Sequence, residues 1–304
     1  MQALGIDLGG TKIEAALLDE AGGVRWRQRV ATPAGDYGAT LCGIVALVRA
    51  AQAACGEAVT IGVGTPGTRT AAGLMKNCNS TCLNGRPLQQ DLQAALGQPV
   101  ALMNDANCLA LSEATDGAGA GADVVFAAIV GTGTGAGIAV HGRVLTGPNG
   151  LAGEWGHNPL PFGAPGQDPS WACYCGRGGC VESLVSGPAL ARDHAQRHGG
   201  DLDAATIAAC AAAGDAGCRA TLARHAERLA RALASVINLL DPDVIVLGGG
   251  LSLMPHLYTE VPALWQRWVF SAGADEPVCT KLVPARHGDA SGVRGAAWVG
   301  RTEA

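Results

Sequence analysis

Asp7-Leu8-Gly9-Gly10-Thr11-Lys12 lies between two short apolar runs, residues 3–8 and 13–18, rich in Leu, Ile and Ala. The arrangement returns at Gly131-Thr132-Gly133-Thr134-Gly135, between runs 124–130 and 136–140. Runs of this length and composition read as strands, so each unit reads as a β-hairpin with an open, glycine-rich turn. Glycine lets the backbone turn sharply and bring its N–H groups close to an anion with no Cβ in the way. The threonines add hydroxyl donors. Neither turn is a GxxxxGK[ST] loop or a GxGxxG opening a helix, so the binding chemistry would be a nest of backbone N–H groups. One such turn is ordinary hairpin punctuation. Two predict similar half-folds that grip a nucleoside triphosphate from both sides, the outline of a phosphotransferase.

The 304 residues suggest two domains, at ~150 residues each. Hydrophobic residues make up 48% and aromatic residues 4%, so the cores are built from Ala, Val, Leu and Ile. The 45 glycines are about twice the ordinary ~7% share and cluster in turns rather than at a collagen period. A net charge of −5 with no basic run argues against a nucleic-acid surface. The chain passes from Met1-Gln2 into a strand with no basic n-region and no signal-like apolar segment. Its apolar stretches are interrupted short of ~18 residues, so no membrane span is expected. Eleven cysteines without a secretion signal fit a reducing compartment. Cytoplasm is the expected location.

After the first hairpin, residues 24–30 read as a third strand of a meander and 40–54 as a helix with Leu41, Ile44, Val45 and Val48 on one face. Residues 59–63 read as a buried strand, 87–96 as a helix, 100–103 as a strand and 106–114 as a helix. The small-residue segment 117–122 reads as a domain boundary, after which the pattern restarts. Residues 219–240 form an amphipathic helix stopped by Asp241-Pro242-Asp243, and 244–247 are a buried strand running into Gly248-Gly249-Gly250. Residues 291–299 read as a last short helix. Strands and helices alternate in two similar halves, so the fold class is α/β.

Met103-Asn104-Asp105-Ala106-Asn107 joins a strand to a helix. Asn104 or Asp105 in that place reads as a helix cap. A carboxylate at the C-terminal edge of a strand is also where α/β folds carry ligand chemistry, and phosphoryl transfer to an alcohol needs a group that takes the hydroxyl proton. Asp105 is the candidate base. In Gly153-Glu154-Trp155-Gly156-His157, the Glu154 carboxylate could accept bonds from vicinal hydroxyls, while His157 reads as a ligand, a donor or a packed side chain. Cys173, Cys175 and Cys180, with Glu182 two residues on, place three thiols downstream of His157. Together they could close a Cys₃His zinc site; the alternative is three buried or free cysteines. The other eight cysteines are scattered and read as small core residues. Gly248, Gly249 and Gly250 would let a flat ligand approach the backbone. Asp7 could orient a magnesium ion through water.

Taken together and in order, Asp7-x-Gly9-Gly10-Thr11-Lys12, Asn104-Asp105-Ala106-Asn107, Gly131-Thr132-Gly133, Gly153-Glu154-x-Gly156-His157, Cys173-x-Cys175-Gly-x-x-Gly-Cys180-x-Glu182 and Gly248-Gly249-Gly250 resemble the ROK family of bacterial sugar kinases. The resemblance implies the actin-like, ribonuclease H-type fold, two similar domains around a central cleft, and phosphorylation of hexoses with ATP and Mg²⁺. It implies residues 1–116, completed by a helix at 289–304, as the N-terminal domain. Residues 117–288 then form the C-terminal domain, with a zinc-binding insert at 153–182.

Carried over, Asp105 deprotonates the sugar hydroxyl. Asn79, Asn104, Glu154, His157 and Glu182 contact the sugar. His157, Cys173, Cys175 and Cys180 hold a structural Zn²⁺. Asp7, Gly9, Gly10, Thr11, Lys12, Gly131, Thr132 and Gly133 serve the phosphates and magnesium, and Gly248, Gly249 and Gly250 the adenosine. The family's members are often dimers, so a homodimer is among the expectations.

Within the family, residues 76–85 and 156–161 look most like bacterial fructokinases that also accept mannose, which makes fructose the expected sugar. N-acetylglucosamine kinase and glucokinase are the alternatives. The family also contains sugar-responsive repressors, but these carry a helix-turn-helix ahead of the Asp-x-Gly-Gly-Thr turn. Here that turn begins at residue 7, which disfavours a repressor. A non-catalytic sensor is disfavoured because each proposed catalytic position is filled.

Overall fold

The computed structural model describes residues 2–56, 58–164, 166–271 and 276–303. Residues 1, 57 and 304 of the expected N-terminal domain, and Pro165 and 272–275 of the expected C-terminal one, lie outside the described residues.

The first glycine turn closes an antiparallel hairpin of β1 (Gln2–Leu8) and β2 (Lys12–Leu18), with Asp7 opposite Glu14. β3 (Val24–Ala31) extends the meander. After α1 (Tyr37–Cys55), β4 (Val59–Thr65) lies parallel to β1. β5 (Thr68–Arg69) and β6 (Met75–Lys76) make a small ribbon, and α2 (Leu88–Leu96) precedes β7 (Ala101–Asn104), parallel to β4. The sheet order is β3-β2-β1-β4-β7. α3 (Asp105–Thr115) follows β7 directly.

A second hairpin, β8 (Val124–Val130) and β9 (Thr134–Val140), leads to β10 (Arg143–Val144). Helices α4 (Val181–Val185), α5 (Gly187–His198), α6 (Ala204–Ala212) and α7 (Ala216–Leu240) come before β11 (Val244–Gly248). Then follow α8 (Leu257–Trp265), β12 (Lys281–Pro284) and α9 (Ser291–Glu303). The second sheet runs β10-β9-β8-β11-β12, with β8 parallel to β11 and β11 to β12. Strand for strand, this repeats the first sheet's order. The duplication expected from the two turns is therefore present in the topology.

The chain groups into two compact units, residues 1–120, 137–152 and 289–304, and residues 121–136 with 153–288. In the first unit, Leu4, Ile6, Ile13, Leu17, Ile61 and Val63 form a core with Ile44, Leu47 and Val48 of α1. α1 is long and apolar enough, by length and composition, to cross a membrane, with a mean hydropathy of 1.5. That value comes mainly from Leu41, Ile44, Val45, Leu47 and Val48, with the helix's alanines and cysteines adding to it, and only Arg49 and Gln52 interrupt the run strongly. Its Ile44, Leu47, Val48 and Ala51 stripe is spent in this unit's core.

Three glycines bring α9 against its neighbours backbone to backbone. A Cβ on Gly5 would stand 1.9 Å from the Val293 carbonyl oxygen, one on Gly62 1.9 Å from that of Ala296, and one on Gly295 1.8 Å from that of Cys108 in α3. The last helix is thus built into the unit that begins at the N-terminus. In the second unit, α7 buries Leu222, Ala226, Leu229, Leu233, Val236 and Ile237. Asp215 caps its start, and Asp241 ends it in the left-handed conformation with φ 46°.

Candidate active site

Asp7 and Asp105 are both products of strand ends in the first unit. Asp7 is the penultimate residue of β1, and Asp105 is the first residue of α3, just past β7. The Asp7 carboxyl is raised to about 6, first by burial, then by the Asp105 and Glu14 carboxylates, against the opposing pull of Lys12 and Arg29. Gly292 in the first turn of α9 lies so close that a Cβ there would sit 3.1 Å from Asp7 Oδ2. Glu14, 1% exposed, is held between Arg27 and Arg29 of β3.

Asn104 is the N-cap of α3. Its Oδ1 accepts from the Ala106 and Asn107 amides at 3.0 and 3.3 Å, and its Nδ2 donates to the Gly67 carbonyl at 3.1 Å. The capping reading therefore holds for Asn104, whose polar atoms are largely committed to the backbone. Asp105 Oδ1 accepts from the Ala106 amide at 2.8 Å.

The two glycine turns use part of their donor capacity on themselves. The Gly9 amide donates to the Lys12 carbonyl at 3.0 Å, and the Gly131 amide to the Gly133 carbonyl at 2.9 Å. The nest expected there is smaller than the sequence suggests, because the first amide of each turn closes the hairpin. Gly10 and Thr11 are exposed, as is Thr132. Gly10 lines a cavity of about 250 Å³ with Leu8, Thr32, Asn79 and Ser80, so the chain brings Asn79 to the first turn. A second cavity of about 660 Å³ opens beyond β4 and β7, lined by Thr65, Thr68, Arg69, Lys76, Asn104 and Asn107 among others. Both lie within the first unit.

In the second unit, Glu182 accepts from the Thr134 amide at 2.9 Å through Oε2, while its Oε1 stands 3.9 Å from Cys173 Sγ. One carboxylate thus touches both the second glycine turn and the thiol cluster. Gly249 and Gly250, after β11, are exposed at the tip of that strand while Gly248 is buried.

The ligand atoms of His157, Cys173, Cys175 and Cys180 lie within 4.8 Å of one another. Cys175 Sγ is 3.6 Å from Cys180 Sγ, and Cys173 Sγ is 3.5 Å from His157 Nδ1. A tetrahedral zinc with ordinary bond lengths sets thiolate pairs about 3.8 Å apart and a thiolate–imidazole pair about 3.6 Å apart. The four groups fit the ion's geometry and its donor preference. Burial and the neighbouring thiols push the Cys180 thiol up to about 12, which a bound cation would reverse. Asp168 fastens the approach to this loop onto α7, accepting from Arg228 at 2.9 Å and from Arg231 at 2.5 Å.

Residues 3–303 match the model of the ROK family. The chain belongs to the ROK family. It is 37% identical to the N-acetyl-D-glucosamine kinase of Escherichia coli, over 98% of this chain and 99% of that one. Among solved structures, the ROK hexokinase of Thermus thermophilus superimposes with a TM-score of 0.84 at 33% identity, covering 98% of this chain and 97% of that one. The ROK glucokinase of Streptomyces griseus, solved with glucose and AMPPNP, gives 0.80 at 29% identity, covering 99% of each chain. The fold is therefore the actin-like ATPase fold of ROK kinases, and the repeated sheet order is its signature.

Within this ROK chain, two features were not legible in the sequence. Asp168 gave no signal, since an isolated acidic residue in a Pro- and Gly-rich stretch reads as surface loop. Tyr174 lies between Cys173 and Cys175, and a single tyrosine there carries no signal of its own in the sequence. Its hydroxyl is 3.0 Å from His157 Nε2, and its ring meets the imidazole edge-on, with centroids 5.0 Å apart at 89°.

Proposed function

We propose that this ROK-family chain transfers the γ-phosphoryl group of ATP to a hydroxyl of N-acetyl-D-glucosamine. The observation that supports this sugar most directly is the near full-length likeness to the E. coli N-acetyl-D-glucosamine kinase. The likeness supports the alternative named beside fructose better than fructose itself, the sugar expected from residues 76–85 and 156–161.

In this reading Asp105 accepts the proton of the attacking sugar hydroxyl. The hydroxyl oxygen bonds to the γ-phosphorus as the bond from that phosphorus to the ADP oxygen breaks, giving the sugar phosphate and ADP. Asp105 suits the role because α3 fixes its backbone while its carboxylate stands at the strand end. Asp7 orients the magnesium that accompanies ATP, and the cation would offset the crowding of carboxylates that raises Asp7. Bound Mg²⁺ supplies charge neutralisation at the phosphates. Gly10, Thr11, Lys12, Thr132 and Gly133 contact phosphates, and Gly249 and Gly250 the adenosine.

Asn79, Glu154 and His157 contact sugar hydroxyls. Asn104 contributes only through what its capping bonds leave over. Glu182 has one oxygen on the Thr134 amide, so its contact to sugar uses the other lone pairs. His157 Nδ1, Cys173, Cys175 and Cys180 would hold zinc, whose part is to fix the loop that carries His157.

The test is ATP- and Mg²⁺-dependent ADP release with N-acetylglucosamine, glucose, mannose and fructose, compared by kcat/KM. The highest value should fall to N-acetylglucosamine. A higher value for fructose or glucose overturns the sugar, and no turnover with any of them overturns the kinase reading.

A further inference from the structure

His157 and Cys173 reach the four-group cluster from opposite ends of residues 158–172, a stretch that carries neither a helix nor a strand. Packing holds the two ends of that loop. Leu160 and Trp171 join Leu184 and Ala189 in a small core, and the Arg192 guanidinium lies over the Trp171 ring, 4.5 Å from its centroid. Between them, the described residues of 161–170 bury no apolar side chain, and Phe162 is 49% exposed. Apolar burial therefore does not seat the middle of the loop.

An ion pair seats it instead. Asp168 Oδ1 accepts from Arg228 Nε at 2.9 Å, and its Oδ2 from Arg231 Nη2 at 2.5 Å. Both guanidiniums are buried, at 3% and 1% exposure. Arg224, Arg228 and Arg231 lie on one face of α7, and Asp193 takes the first two of them at 2.9 and 3.0 Å. Three guanidiniums of α7 thus meet two carboxylates. Arg231 is the short-changed member: its Nε and Nη1 have no hydrogen-bond partner, and among the described residues its one ion pair is with Asp168. The loop backbone closes down on that pair, since a Cβ on Gly163 would stand 2.7 Å from Arg231 Nη1 and 3.0 Å from Asp168 Oδ2.

Lifting Asp168 away would leave a buried guanidinium with no counter-charge, which is strongly unfavourable. The loop is therefore confined to one seat on α7. That seat sets the spacing of the two groups at its ends, whose facing atoms, His157 Nδ1 and Cys173 Sγ, are 3.5 Å apart.

We infer that Asp168 is a positioning residue, which pins the loop to α7 and so holds His157 and Cys173 at the spacing that retains the metal and presents His157 to the sugar. This rests on the zinc and kinase reading above and adds a residue outside the cluster on which both depend.

The experiment follows zinc transfer from the zinc-loaded protein to a colorimetric chelator, with the thermal midpoint and the KM values of N-acetylglucosamine and ATP, in the wild type, Asp168→Asn and the double variant Asp168→Asn/Arg231→Met. Asp168→Asn should release zinc about tenfold faster and raise the KM of the sugar about fivefold, while the KM of ATP stays within about twofold. The double variant removes the stranded charge, so its thermal midpoint should recover toward that of the wild type while zinc release stays fast. Wild-type zinc release in Asp168→Asn overturns the inference. So does a double variant that regains slow release together with its thermal midpoint, because Asp168 then serves stability alone. A wild type that takes up no zinc overturns it as well. Zinc transfer needs no turnover, so a wild type inactive on every sugar overturns the kinase reading while the release rates still decide the pinning of the loop. If Asp168→Asn does not fold, the double variant decides.

Discussion

Asp7→Asn should make the protein more stable and inactive at once. The Asp7 carboxyl is raised from 3.8 to about 6 in the fold, chiefly by burial and then by the Asp105 and Glu14 carboxylates. A group whose folded pKa is raised binds its proton more tightly when folded, so its ionised form opposes folding. The effect is absent below the unfolded pKa, grows as pH rises between the two values, and is complete above the folded one. A shift of that size corresponds to at most about 3 kcal/mol of opposition at neutral pH. The first turn of α9, whose Gly292 lies against Asp7, offers partial positive charge that offsets some of it.

Asparagine keeps the shape and removes the charge. The stability gain of Asp7→Asn should therefore grow by roughly 1.5 kcal/mol between about pH 5 and about pH 7.5. Urea unfolding of both proteins in magnesium-free buffer at the two pH values measures it. Taking the difference between variant and wild type at each pH cancels every other titrating group. ADP release should meanwhile drop with loss of the carboxylate that would orient the magnesium. A gain that is the same at both pH values, or a loss of stability at the higher one, refutes the electrostatic account of Asp7.

Other outcomes follow from the same geometry. Asp105→Asn should lower kcat about 10²- to 10⁴-fold while calorimetry shows the sugar bound within a few-fold of wild type. Elemental analysis should find one zinc per chain, as the Cys₃His set has room for a single ion. Cys175→Ser should reduce both zinc content and the thermal midpoint. Gly62→Ala, whose Cβ would meet the Ala296 carbonyl oxygen at 1.9 Å, should cost about 3 kcal/mol in urea unfolding, against little for Gly35→Ala apart from its positive φ.

Much of the fold was legible because it rests on local pattern. The two glycine turns, the strand expected at 59–63, which runs on to Thr65, and the long helix ending at Asp241 follow directly from apolar periodicity and cap residues. Helices α4 to α6 and α8 were not seen, since their runs are short, rich in alanine or interrupted by Pro262. Site residues named by type and spacing came together where one short stretch of chain carries them, as with the four groups of the cysteine cluster between residues 157 and 180. What spacing could not give was how a side chain spends its hydrogen bonds. Asn104 caps a helix, Glu182 holds the Thr134 amide, and Gly9 and Gly131 close their own turns. Those commitments arise from contacts across the chain, which no short motif records.

The packing of α9 against Gly5, Gly62 and Gly295 sets a timetable for synthesis. The ribosome delivers β1 and β4 more than 200 residues before the helix that covers them. Until then the emerging chain carries a sheet with a bare, glycine-lined face, while most of residues 153–288 can already condense. The two units are thus finished in the reverse of the order in which they are begun, and a premature stop within α9 would leave unsealed the sheet of β1 and β4 that was made long before it.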